Sequence, residues 1–256
     1  MKSTTAEWFA LRKPNSPFVP RMFCFPYAGG NEAIFHHWGD HLPMVEVYSA
    51  RLPGRGRRIE EVPFTQLTPL VEAVAGAIVP LLDREFTFFG HSMGAVIAFE
   101  LAQLLRREHG LSPTHLFVSG RNAPHLPERR PPTFHLPEAD IIDDLRRLNG
   151  TPPEVLEDPE FRKLLMRVVR ADFELVQTYR YSAQPPLDCP IAAFGGEQDE
   201  DVWYEDVEAW RDYTTGPFEN VTFPGNHFFI HTDAQRLFHE LSRRLFPLSY
   251  AFQTGL

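Results

Sequence analysis

Hydrophobic and polar positions follow two rhythms along the chain. Short apolar runs bounded by turn-forming residues occur at 21–25, 45–50, 86–89, 115–119, 191–194 and 221–223, and these read as buried strands. Between them the period changes. Leu70, Val71, Val74, Ala77, Ile78 and Leu81 recur at helical spacing and predict a helix over 67–82. Similar spacing predicts helices over 33–41, 95–107, 203–213 and 233–246, and 8–11 reads as an edge strand. Strands alternating with helices imply an α/β fold: a mostly parallel sheet covered on both faces. One block departs from the alternation. Residues 121–137 are rich in proline and read as loop; 138–180 are helical in period, without a strand, and interrupted at 149–153. Because this block falls between two sheet strands, it is expected to roof the strands' C-terminal ends. The expectation is one domain over 1–256 with a helical lid inserted at about 122–185.

Composition adds limits. Of 256 residues, 43% are hydrophobic and 23% charged, as in an ordinary globular protein, and 22 phenylalanines suffice for a large core and an apolar pocket. The net charge of −9 disfavours nucleic acid as a partner. Cys24 and Cys189 sit at or beside apolar runs, which predicts buried thiols rather than a disulfide or metal site. With no signal-like N-terminus and no apolar run near ~18 residues, the expectation is a cytoplasmic, non-membrane protein. Monomer is the default.

The chemistry gathers around one stretch. The apolar run Phe86–Phe89 leads into Gly90-His-Ser-Met-Gly94 and then a helical pattern, the strand–turn–helix context of a G-x-S-x-G nucleophile elbow. The sharp turn forbids bulk on either side of Ser92 and aims the Met93 N–H at an oxyanion. A serine needs a base and the base an orienting acid, in the chain order nucleophile, acid, histidine for this topology. Glu197, Asp199, Glu200 and Asp201 follow the strand at 191; His227 follows the strand at 221. Asp199, directly on the loop, is favoured, with Asp201 second as a residue suited to capping the next helix. His231 makes an H-x-x-x-H pair with His227, but no third ligand is apparent, so the triad outweighs a metal site. His91 is read as packing. Tyr27-Ala-Gly-Gly30 is the candidate second half of an oxyanion hole, through the Ala28 N–H. Arg55, Arg57 and Arg58 lie in a Gly54–Arg58 loop without a nucleotide-binding fingerprint, and read as a solvated basic loop or a docking point for an acidic or phosphorylated partner.

Six segments together carry a resemblance: Phe25-Pro-Tyr-Ala-Gly-Gly30, Arg51-Leu-Pro-Gly-Arg55, Phe89-Gly-His-Ser-Met-Gly94, Leu148-Asn-Gly-Thr-Pro-Pro153, Arg170-Ala-Asp-Phe173 and Pro224-Gly-Asn-His-Phe-Phe229. In this order the chain resembles the type II thioesterases, editing enzymes of nonribosomal peptide and polyketide synthases with the α/β-hydrolase fold. The resemblance implies Ser92 as nucleophile, Asp199 as acid, His227 as base, and Met93 and Ala28 as oxyanion donors. It places Tyr27 near substrate and makes 122–185 the lid. It also implies acyl or peptidyl carrier proteins as partners, and no cofactor beyond the phosphopantetheine that the substrate carries. Asn226 stands where such sequences frequently have glycine. Phe134, Leu136, Phe161, Leu164, Leu165 and Phe173 are the lid residues that either pack its helices or line an acyl channel. An esterase or acyltransferase on the same fold is the alternative, and a non-catalytic binding protein a more distant one.

Overall fold

In the computed structural model, residues 4–11 and 18–246 are described. Successive residues of a strand face opposite sides of a sheet, and the central strands here are apolar on both. Phe23 and Phe25 of β2 (Arg21–Phe25) enter one core, whereas Met22 and Cys24 enter the other. In β4 (Phe86–His91), Phe86 and Phe88 take the first side and Phe89 the second. That two-sided burial forces layers onto both faces.

The elements follow in chain order as α1 (Thr5–Trp8), β1 (Phe9–Leu11), β2, α2 (Trp38–His41), β3 (Glu46–Ala50), α3 (Leu67–Ile78), β4, α4 (Met93–His109) and β5 (His115–Ser119). After β5 come α5 (Glu138–Leu148), α6 (Pro153–Glu157), α7 (Pro159–Gln177), β6 (Ile191–Gly196), α8 (Tyr204–Glu208), β7 (Phe218–Phe223), α9 (Phe229–Thr232) and α10 (Ala234–Leu245). Helices α3 and α4 cover one face of the sheet through Leu70, Val74, Ile97 and Leu101; α10 covers the other through Leu237, Phe238 and Leu241. The sheet order is β1-β3-β2-β4-β5-β6-β7, parallel throughout except for β1 against β3. This is the α/β architecture predicted.

The order places the site. From β2 the chain turns to β3 on one side and later to β4 on the other. Loops leaving β2 and β4 therefore diverge, opening a crevice beyond their carboxyl ends. The strand- and helix-forming segments lie close to their predicted bounds, though the 203–213 helix is α8 followed by a 3₁₀ turn and the 67–82 helix ends in one. Trp8 closes a short helix rather than opening the edge strand, the 33–41 helix is split into a 3₁₀ turn and α2, and β7 begins three residues earlier than its apolar core. Cys24 and Cys189 are buried and free. No helix among the described residues is long and apolar enough to cross a membrane.

Candidate active site

Ser92 sits between β4 and α4 at φ 54° and ψ −114°, a strained conformation for a side chain that is not glycine. Its N–H is held by the Ser119 carbonyl at 2.7 Å. Both flanking glycines are required by space. A Cβ on Gly90 would lie 2.0 Å from the Gly94 carbonyl oxygen, and one on Gly94 would lie 2.0 Å from that of Phe25. The Met93 N–H belongs to the first turn of α4, where backbone donors have no partner within the helix and the dipole favours negative charge.

The loop after β6 delivers Asp199, and the loop after β7 delivers His227. Asp199 Oδ2 lies 2.6 Å from His227 Nδ1, while Oδ1 accepts the N–H groups of Asp201 and Val202. A carboxylate accepting on every side leaves the shared proton on Nδ1, so His227 Nε2 is free to accept. The Asp199 side chain is 1% exposed and that of His227 10%. Gly225 turns the loop at φ +109°, and Asn226 fixes it by accepting the Phe228 N–H with Oδ1. The asparagine thus tightens this turn. The His227 ring packs over Gly120, whose own N–H donates to the Phe194 carbonyl within β6.

His91 is fully buried with Nδ1 2.8 Å from the Ser119 hydroxyl, and burial, reinforced by His227 and His231, pushes its pKa well below the ordinary histidine value. It packs, as expected. His231 faces the Tyr27 hydroxyl at 3.1 Å, and Tyr27 also meets His91 and Phe228 edge-on. Burial raises the Tyr27 phenol to about 12. Tyr27 therefore packs against His91, Phe228 and His231, outside the residues lining the cavity at Ser92. Among the described residues no three of His, Cys, Asp and Glu converge as a metal-binding group.

A cavity of about 120 Å³ adjoins Ser92, walled by Ala28, Met93, Phe173, Val176 and Gln177. Its arginine-rich rim shares Val176 and Gln177 with a larger cavity of about 710 Å³. Of the six lid residues named from sequence, Phe173 reaches the site and Leu165 packs the lid's apolar cluster. Phe134 and Leu136 are half-buried, and Phe161 and Leu164 are exposed.

Two expectations are corrected. The loop at 54–58 is not solvated: Arg55 makes a two-point ion pair with Asp172, and Arg58 does so with Glu61 while stacking on Trp8, which leaves Arg57 exposed. Asp201 caps no helix; Asp206 accepts the Trp203 N–H at the start of α8 instead. Asp201 binds Arg130 and Arg147 of the lid, and these bonds outweigh the effect of burial and lower its pKa. Sequence reading missed Asp172, though a signal exists. Its neighbours Val168, Val169, Ala171, Leu175 and Val176 form the buried stripe of α7, and a carboxylate on that stripe demands a buried partner.

Residues 20–245 match the family model described as Thioesterase domain. The chain belongs to the thioesterase family. It is a thioesterase, hence a serine hydrolase, with the α/β-hydrolase fold. It is 43% identical to the gramicidin S biosynthesis protein GrsT of Aneurinibacillus migulanus over 95% of both chains. It is 36% identical to the medium-chain S-acyl fatty acid synthase thioesterase of Homo sapiens over 86% of this chain and 83% of that one. Among solved structures, this thioesterase resembles RedJ of the prodiginine pathway in Streptomyces coelicolor at TM-score 0.84, 39% identity and coverage of 91% and 93%. It also resembles the type II thioesterase YbtT of the yersiniabactin pathway at TM-score 0.84, 31% identity and coverage of 94% and 98%.

Proposed function

We propose that this thioesterase removes stalled or aberrant acyl groups from the phosphopantetheine arm of carrier proteins in a nonribosomal peptide or polyketide synthase. The Asp199–His227 pair, set beside an elbow that holds Ser92 at positive φ, is the observation that carries the chemistry. His227 Nε2 takes the Ser92 proton as Oγ attacks the thioester carbonyl. The Met93 and Ala28 N–H groups receive the oxyanion. The C–S bond breaks and the thiol leaves with the proton from His227. Water then gives a proton to His227 as it attacks the acyl-serine ester; the intermediate collapses, His227 returns that proton to the Ser92 oxygen, and the acid is released. Near-full-length likeness to a gramicidin S biosynthesis protein and to a type II thioesterase from a mixed peptide–polyketide pathway supports the choice of substrate.

The test is steady-state hydrolysis of one short acyl group offered on a phosphopantetheinylated carrier protein, on coenzyme A and as an oxygen ester, with Ser92→Ala alongside. The expected result is a preference for the carrier form and a loss of at least ~10³-fold in the variant. Preference for the oxygen ester would favour the esterase alternative. Retention of activity by Ser92→Ala would reject the mechanism.

A further inference from the structure

The oxyanion-side loop is not held by its own strand alone. Tyr27 to Gly30 form a type II turn, closed by the Gly30 N–H on the Tyr27 carbonyl at 2.9 Å, with Gly29 at φ +77°. In a trans peptide the C=O and N–H point opposite ways, so a Tyr27 carbonyl turned inward sends the Ala28 N–H outward. The turn's orientation therefore decides where that N–H points, and the turn is fixed from the lid. The Gly29 N–H donates to Asp172 Oδ2 at 2.7 Å. Arg55 grips the same carboxylate at two points, 2.6 and 2.7 Å, and also donates to the Gly30 carbonyl at 3.2 Å. A Cβ on Gly29 would lie 2.9 Å from Val169, one turn before Asp172, so helix and loop are in direct contact.

Arg55 is 6% exposed and Asp172 2%. A buried ion pair of this kind is a poor stabiliser, because desolvation cancels most of its attraction, and apolar replacements of similar volume often do as well. What apolar side chains cannot supply is an acceptor for the Gly29 N–H. Helix α7 is also tied on its other sides: Arg167 to the Ile59 and Glu61 carbonyls, Arg170 to those of Phe134 and Leu136. It is the fixed member of the lid.

We infer that Asp172, held by Arg55, is a positioning residue that sets the oxyanion loop from lid helix α7. The inference rests on Ala28 being an oxyanion donor, as proposed above.

The experiment measures kcat, KM, melting temperature and the inhibition constant of a trifluoromethyl ketone analogue of the acyl thioester, whose hemiketal with Ser92 presents an oxyanion. Three variants are compared: Asp172→Ala, Asp172→Asn and the double variant Arg55→Met with Asp172→Leu. The double variant preserves an apolar core should the unpaired arginine of Asp172→Ala prevent folding. Both acceptor-less forms are expected to lose about 10- to 100-fold in kcat, less than outright loss of a donor, with KM within about threefold. Inhibitor affinity should weaken by the same factor as kcat. Asp172→Asn, whose amide oxygen still accepts the Gly29 N–H, should recover most of both. A folded double variant with wild-type kcat and inhibitor affinity overturns the inference, as does a fall in melting temperature alone. Failure of the ketone to bind wild type more tightly than it binds Ser92→Ala would instead strike the catalytic reading beneath it.

Discussion

Replacing Gly94 by alanine tests the elbow at its tightest point. The added methyl would meet the Phe25 carbonyl oxygen at 2.0 Å, its carbon at 2.6 Å and the Pro26 carbonyl oxygen at 2.9 Å. All three are backbone atoms, two in central strand β2 and one in the residue after it, and Phe25 is in register with Gly90 of β4, so no side chain can swing aside. Helix α4 must retreat from β2 by more than an ångström to restore ordinary contact. That movement separates the Met93 N–H from the Tyr27–Gly30 turn, the two halves of the proposed oxyanion hole. Overpacking of this severity costs about 3 kcal/mol, or roughly 6–12 °C in melting temperature for a chain of this size. Misplacing reacting groups by about 1 Å costs on the order of 10²-fold in kcat. Gly76 is the control. It lies exposed within α3 with nothing within 4 Å of a Cβ, so Gly76→Ala should gain about 0.5–1 kcal/mol and leave kcat unchanged. Thermal unfolding and thiol release from an acyl thioester measure both variants. A Gly94→Ala enzyme with wild-type melting temperature and kcat would refute the geometry of the elbow.

Asp199→Asn should lower kcat by about 10³- to 10⁴-fold through loss of the correct histidine tautomer, whereas Asp201→Asn, which loosens only lid contacts, should stay within about tenfold of wild type. If the two variants exchange behaviour in the same hydrolysis assay, the acid has been misassigned. The Asp201 pKa is depressed in the folded state, so its bonds to Arg130 and Arg147 add stability above the ordinary carboxylate range and lose it as pH falls through the folded value. Hydrogen-exchange protection of residues 128–148 should accordingly be level between about pH 5 and 8 and fall only below about pH 4. Burial raises the Cys24 thiol well above its ordinary value and that of Cys189 to about 12, so neither should react with a disulfide reagent at pH 7 before the protein unfolds. Rapid modification of either in folded protein would contradict the packing.

Much of this site was legible because it depends on local chain geometry. The two glycines around Ser92, the double glycine after β2 and the loops opening at Glu197 and Pro224 each announce a tight turn at a strand end, and strand order then brings them together. The loop position favoured Asp199 over Asp201, but the physical difference between them appears only in three dimensions. Both follow β6, and what divides them is that Arg130 and Arg147 reach across from a distant segment to claim Asp201. The basic loop misled for the same reason: Asp172 and Glu61, which neutralise Arg55 and Arg58, lie 117 and 3 residues away, and only the near one is visible as spacing. Likewise Phe161 and Leu164 share the helical period of α7 with Leu165, yet the helix turns them to solvent.

The most direct measurement of the central claim is covalent capture with an alkyl fluorophosphonate. The Ser92 oxygen would displace fluoride from phosphorus, forming a stable adduct at the position of the acyl-enzyme. The expected result is one phosphonyl group per chain, located by mass spectrometry on the peptide containing Ser92, with thioesterase activity lost in proportion and no labelling of Ser92→Ala. Full activity with no adduct at Ser92, or inactivation with the label on another residue, would contradict it.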